Sequence, residues 1–474
     1  MNTKQYLFIL VLVVSSFATA QHQEINEGPK VWKEKSNKLV DTTTFLGAFK
    51  KGHFKGHFRN FFMKTINEGS LTDYYANGLG GGLKFETAKF KNFQFGVSGY
   101  YIYNMGSSDF TIKDPITNLS NRYEVALFDI QNISTTKNMS RLEEFYLKYN
   151  YKKSVITLGK QLINTAFINL QDGRMRPTEV DGIWVDFNEI KKTTINVGYI
   201  YGISPRSTLQ HFKVGQSVGI YPMGTNPDGS KSDYAGNLQS NGVFIAGVQR
   251  EMNSHFKLLL WNQYVENMFN SALVQTDFNY AINKGSKLFF GFQAILQHAV
   301  NDGGNENQAK TYFSKNGASQ TFGGNFGYKD KSIEISINYN RITASGRYLM
   351  PREWGRDPFY TFMARERNEG FGDVHALVAK FMYKDAAKRL KVNFGVGYFD
   401  LPDVKNFELN KYGMPSYLQS NIDIRHEFKG ILDGFDAQLL YVYKLNVGET
   451  YGSSNYIFNK TNMSNINFIL NFHF

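Results

Sequence analysis

The chain contains no cysteine. That excludes disulfides, thiolate zinc sites and thiol nucleophiles together. Beyond the N-terminus it also lacks any run of about 18 apolar residues, so no transmembrane helix is encoded there. Catalytic signatures are missing as well: there is no G-x-S-x-G elbow, no H-E-x-x-H pair and no phosphate-binding loop. Gly80-Gly81-Gly82 reads as part of a strand, where small residues ease packing or a bend. His211, His255, His298, His375 and His426 offer no spacing that suggests a catalytic set. An enzyme is therefore not expected.

What is present points elsewhere. Aromatic residues make up 16% of 474 residues, glycine occurs 43 times, and the mean hydropathy is −0.38. A helical membrane protein would be strongly apolar, whereas a β-barrel needs apolar residues only at alternate positions. Large barrels form one domain even at this length. The formal charge of +12 calls for an anionic partner.

An export signal narrows that choice. Lys4 supplies the positive start, residues 6–14 the apolar stretch, and Ala18-Thr19-Ala20 a cleavage site before Gln21. Residues 1–20 are expected to be a signal peptide and 21–50, polar and Lys-rich, a periplasmic lead-in. No cysteine follows the cleavage site, so lipid attachment is not expected. Nucleic acid is not an expected partner of an exported chain, which leaves anionic solutes and lipopolysaccharide.

Residues 51–474 hold about 18 amphipathic stretches of strand length, at 53–64, 72–87, 91–104, 141–151, 153–161, 179–188, 193–202, 241–251, 255–266, 270–283, 286–299, 319–329, 331–344, 372–384, 389–399, 416–429, 434–447 and 464–474. The gaps between them alternate short and long. Short gaps lie at 88–90, 151–152, 284–285 and 329–331, and long ones near 104–140, 161–179, 203–240, 300–318, 342–371, 400–415 and 448–463. Outer-membrane barrels have tight periplasmic turns and long external loops, whereas a soluble sandwich has no reason to sort its loops this way.

Within the stretches, residues alternate with period two. Ile333, Ile335, Ile337 and Tyr339 share one face and Glu334, Ser336, Asn338 and Asn340 the other. Phe145, Leu147 and Tyr149 alternate with Glu144, Tyr146 and Lys148. The last stretch puts Ile466, Phe468, Leu470, Phe472 and Phe474 on one face. A terminal aromatic in register with a lipid-facing stripe suits recognition by barrel-assembly machinery. The expected fold is an all-β, transmembrane antiparallel barrel of 18 strands, with 16 the alternative, wide enough for an aqueous channel.

Such a channel needs narrowing, and two loops are suited to fold inward. The first, 161–178, carries Asp172, Arg174 and Arg176. The second, 341–370, carries Arg341, Arg347, Arg352, Arg356, Arg365 and Arg367, together with Glu353, Asp357, Glu366 and Glu369. Arginine stays charged and pairs with carboxylate or phosphate, so arginines in a pore select anionic groups. In the first strand Phe54, Phe58 and Phe62 alternate with Lys55, His57 and Arg59, which would line the lumen as a basic stripe. His53 and His57 share that face but lie about 13 Å apart on a strand, too far for one ion. No metal and no cofactor is expected.

The run Asp172-Gly173-Arg174-Met175-Arg176-Pro177-Thr178, followed by Gly182-Ile183-Trp184, resembles the inward-folded third loop of the OprD-like family of outer-membrane porins. His57-Phe58-Arg59-Asn60-Phe61-Phe62 is similar to that family's first strand. Ala166-Phe167 departs from the family pattern, in which proline is common at that place. The resemblance implies a monomeric 18-stranded barrel whose narrow pore carries a ladder of basic residues and passes small carboxylate-bearing solutes. It puts Arg174 and Arg176 at the constriction and Arg365 and Arg367 on the ladder. The expected function is passive diffusion of small hydrophilic solutes, carboxylates or amino acids, across the outer membrane. The alternative is a non-conducting barrel acting in adhesion or envelope structure.

Overall fold

The computed structural model describes residues 31–32, 41–134, 138–171, 173–387 and 389–474. The expected signal peptide, most of the lead-in and Asp172 lie outside the described residues. Eighteen strands form one closed antiparallel barrel: β1 His53–Asn67, β2 Tyr74–Glu86, β3 Phe93–Ser107, β4 Met139–Tyr151, β5 Ser154–Gln161, β6 Glu179–Phe187, β7 Thr193–Ser204, β8 Val243–Glu251, β9 Phe256–Val265, β10 Phe269–Asn283, β11 Ser286–Ala299, β12 Ala318–Lys329, β13 Ile333–Ile342, β14 Val374–Lys384, β15 Leu390–Asp400, β16 Tyr417–Glu427, β17 Phe435–Asn446 and β18 Met463–His473. Each strand pairs with its chain neighbours. β18 closes on β1 from His57↔His473 to Asn67↔Met463, so no sheet edge is left open. Among the described residues no helix is long and apolar enough to cross a membrane.

The burial pattern is inverted relative to a soluble protein. Ile335, Ile337 and Tyr339 point outward and are exposed, while Ser336, Asn338 and Asn340 are buried inside. Phe468 faces out and Asn465, Asn467 and Asn471 face in. The outer wall is apolar because lipid covers it, and the lumen is polar.

Loop length follows rim. The rim holding the start of β1 and the end of β18 carries tight connections such as 152–153, 284–285 and 330–332. The opposite rim carries seven long loops and two short ones, 68–73 and 266–268, so the alternation is not strict. The stretches read from sequence already leave these two gaps short, at 65–71 and 267–269. Before β1 lies a short helix, α1 (Phe45–Lys50), capped by the Thr44 hydroxyl, which accepts from Gly47 N–H at 3.0 Å. Just ahead of it, Asp41–Thr42 pairs with Lys89–Phe90 in the β2–β3 turn.

The long loops do not stand out into solvent. They fold into the barrel mouth and build two apolar cores. One packs Phe167, Val218, Leu238, Phe313, Trp354 and Phe359 against the wall of β6–β16. The other packs Phe110, Tyr123, Leu127, Phe128 and Phe458 against β1–β4 and β18. Burying these side chains fixes the loops, at roughly 1.5–3 kcal/mol for each large apolar group fully removed from water. Polar and charged groups are left to the seam between the cores.

Candidate functional site

The third loop, 162–178, turns inward on its own hydrogen bonds. The Thr165 hydroxyl accepts from Phe167 N at 3.2 Å and Ile168 N at 2.9 Å, and both following side chains are fully buried. Asn169 then docks the loop between β13 and β14. Its amide donates to Arg356 O at 2.9 Å and its side-chain oxygen accepts from Arg356 N at 3.1 Å, so one side chain pairs as a strand would. Gly355 is required there, because a Cβ would lie 2.6 Å from Asn169 Oδ1. Nearby, Glu353 Oε1 accepts from Gly219 N at 2.9 Å and Tyr221 N at 3.0 Å, and Trp354 donates to Ser217 Oγ at 2.9 Å. Three loops are thereby tied into one body.

That body presents cations to the seam. Arg59, Arg174, Arg356 and Arg365 line one cavity of about 340 Å³, with Lys380 and Lys391 on the wall across from the loop. Arg59 donates to Asn471 Oδ1 at 2.7 Å and to the Arg174 carbonyl at 2.5 Å, so β1 and the third loop hold each other. Arg174 adopts φ +52° and Arg365 φ +66°, left-handed conformations that loop packing must enforce. Arg365 donates from Nε to Asn465 Oδ1 at 2.9 Å and from Nη2 to Asn467 Oδ1 at 2.5 Å, and its carbonyl accepts from Lys444 Nζ at 2.6 Å. The acids on the same cavity are occupied: Asp423 by Arg425 at 2.7 Å and Glu334 by Lys329 at 2.7 Å.

Nearer the outer rim, Arg352 donates to Glu369 at 2.8 Å and stacks on Tyr412 at 3.7 Å. Arg367 donates to Gly355 O at 2.7 Å, on the body of the loop. Three seam residues were not singled out from sequence: Arg122, Lys444 and Lys460. Each carries a charge felt by Arg352 or its neighbours. Burial pushes Lys460 down to about 7, and repulsion from Arg122 and Arg352 adds to the shift. Burial also raises Glu366 to about 8, assisted by repulsion from Asp357. Register fixes the vertical order. Asn465 and Asn467, which hold Arg365, lie near the outer end of β18, whereas Asn471, which holds Arg59, lies near its inner end. Arg365 thus stands above Arg59, Lys444 pairs opposite Met463 at the outer end of β18, and Arg122, Arg352 and Lys460 belong to the loops of the outer rim.

The other basic residues singled out from sequence lie apart from this group. Arg176 is fully enclosed in a two-pronged pair with Glu143, donates to His57 Nδ1 at 2.8 Å, and lies over Tyr100 at 4.4 Å and Trp32 at 4.8 Å. Tyr100 lies flat because Gly80 and Gly82 leave room; a Cβ on either would sit 2.4 Å from its ring. His57 stacks on His473 at 4.3 Å. Glu143 faces inward because a bulge opposite Ser98 and Gly99 adds one residue to β4, turning both Glu143 and Glu144 to the lumen. Lys55 lines a second cavity of about 640 Å³ with Glu86, Glu144, Lys148 and Asp186. Trp32 donates to Glu144 at 2.8 Å, so part of the segment read as a periplasmic lead-in lies inside the barrel.

A closed barrel of this width, with inward loops that narrow a charged lumen, defines a porin. The model of the OprD family of outer membrane porins matches residues 126–367, and this chain belongs to that family. It is an outer-membrane protein. Its fold is similar to those of three Pseudomonas aeruginosa proteins. OccK9 (OpdG) has TM-score 0.69 and 13% identity over 90% of this chain and 99% of the other. OpdK, solved with vanillate, has TM-score 0.68 and 13% identity over 90% and 100%. OccD3 (OpdP) has TM-score 0.66 and 12% identity over 90% and 92%. No curated protein matches the sequence.

Proposed function

We propose that this porin is a passive, monomeric channel for small hydrophilic solutes bearing a carboxylate, amino acids included. The observation that carries the reading is the gathering of cations in the lumen, Arg122, Arg352 and Lys460 in the outer-rim loops and Arg59, Arg174, Arg356 and Arg365 on one cavity below, which together mark a route. A carboxylate moving along it exchanges water for a guanidinium or ammonium at each step, so no single site holds it tightly. Acids on the lower cavity are paired to Arg425 and Lys329, which supports a net preference for anions there.

The test is single-channel recording across a salt gradient, comparing wild type with Arg59→Ala/Arg365→Ala. The reading expects an anion-favouring reversal potential in wild type that weakens in the variant. Unchanged selectivity would move the filter elsewhere in the lumen. A folded barrel without conductance would favour adhesion or envelope structure instead.

A further inference from the structure

The exposed charge is divided between the two rims. On the short-turn rim an arc carries Lys50 and Lys51 at the end of α1, Lys91 in the β2–β3 turn, Lys152 and Lys153 in the β4–β5 turn, and Lys191 and Lys192 in the β6–β7 turn, all exposed, against the exposed Asp41 and the half-buried Glu189. On the opposite rim exposed acids prevail among the described residues, with Glu68, Asp73, Asp109, Asp228, Asp233, Glu306, Asp373, Asp403, Glu408 and Glu449 set against Lys113, Lys213, Lys231, Lys315 and Lys405. The short-turn rim is the periplasmic one.

Beside the basic arc lies an apolar surface continuous with the lipid-facing wall. Helix α1 leaves Phe45 and Leu46 66% and 62% exposed among the described residues. Phe45 meets Phe90 at 6.1 Å, Phe49 meets Phe85 at 6.2 Å, and Phe85 meets the outward Phe54 at 4.8 Å. The helix therefore extends the aromatic belt that marks the membrane interface. Lysines just beyond such a belt stand at the height of the phosphates.

We infer that this collar, the lysine arc with α1 at its edge, binds the headgroups of anionic phospholipids in the periplasmic leaflet. The apolar face of α1 lies among the upper acyl chains, while Lys50 and Lys51 at its C-terminal end reach the phosphates. Continuity with the lipid-facing wall and the sign of the charge select a lipid over a soluble acidic partner.

The protein is reconstituted in phosphatidylcholine vesicles with spin-labelled phosphatidylglycerol or phosphatidylcholine, and the motionally restricted fraction gives their relative association. The expected result is a several-fold preference for phosphatidylglycerol at low salt. It is largely lost in high salt and in Lys152→Gln/Lys153→Gln/Lys191→Gln/Lys192→Gln, and kept in the outer-rim control Lys113→Gln/Lys315→Gln. Heat-modifiable mobility verifies that each variant is folded. Absence of a preference in wild type, or its survival in the quadruple variant, overturns the inference. For the helix, Leu46→Trp should be quenched by shallow brominated lipid, since Trp184, Trp261 and Trp354 are buried and Trp32 lies inside the barrel against Glu144 and Arg176. An unquenched indole overturns its placement in the interface.

Discussion

Arg176 carries the charge expected of a constriction residue but spends it on Glu143. Both side chains are almost wholly excluded from solvent, and removing one partner of such a pair strands the other charge, typically at about 3–5 kcal/mol. Arg176→Ala is therefore expected to lower the stability of the folded barrel, read as a lower urea midpoint for loss of heat-modifiable mobility. Glu143→Gln/Arg176→Met should recover much of the loss, because neither charge is then buried alone. If Arg176→Ala leaves the midpoint unchanged while altering ion selectivity, Arg176 acts on solutes and not on the wall. Lys460 makes a different prediction. Its ammonium, depressed to about 7, is charged below that pH and neutral above it. Anion selectivity should be greatest near pH 6 and decline by pH 8. Glu366, raised to about 8, gains charge over the same range and leaves a smaller decline in Lys460→Gln; a selectivity that stays level in wild type, or a decline undiminished in Lys460→Gln, would remove Lys460 from the path.

At the level of elements, the strands were legible because one face meets lipid and the other water, and period two records that division. The ends were less so. The first strand was read as 53–64 but runs to Asn67, since Asn67-Glu68-Gly69-Ser70 looks like loop while Thr65 and Ile66 still alternate inward and outward. The β4 bulge is a sharper case. Strict alternation puts Glu143 on lipid; the extra residue turns it inward, and only there can it neutralise Arg176. The arginines of 341–370 could be seen as a group, but their heights could not. Lys444 falls on the inward face of β17, but nothing in the sequence brings the Arg365 carbonyl onto it. Asn169 was likewise one polar residue in a loop. Its paired bonds to Arg356 make it the latch between the third loop and the 343–373 loop. Asn169→Ala leaves the Arg356 N–H and carbonyl without those partners in a buried place, a loss of about 1–3 kcal/mol for each unsatisfied group. The expected consequence is a looser constriction, seen as more frequent and larger open-channel steps. A step distribution identical to wild type would show that apolar packing alone holds the loops.

For the whole molecule, charge sorted by rim makes the barrel an asymmetric conductor. The periplasmic mouth carries an arc of lysines and the outer mouth more acid than base, while the lumen between carries a line of cations. Anions concentrate at the basic mouth and cations at the acidic one, so a voltage drawing each inward from its favoured side fills the pore and the opposite voltage empties it. Current in a uniformly oriented channel should therefore rectify, and be larger when anions are driven in from the short-turn side. Screening sets the condition for seeing it. The Debye length is about 10 Å at 0.1 M salt and about 3 Å at 1 M, so rectification is expected at the lower concentration and should fade at the higher. Neutralising Lys152, Lys153, Lys191 and Lys192 should reduce it without abolishing anion selectivity, because the line from Lys460 to Arg59 is untouched. Rectification of equal size at both salt concentrations would locate its origin inside the constriction, where buried charges are screened little.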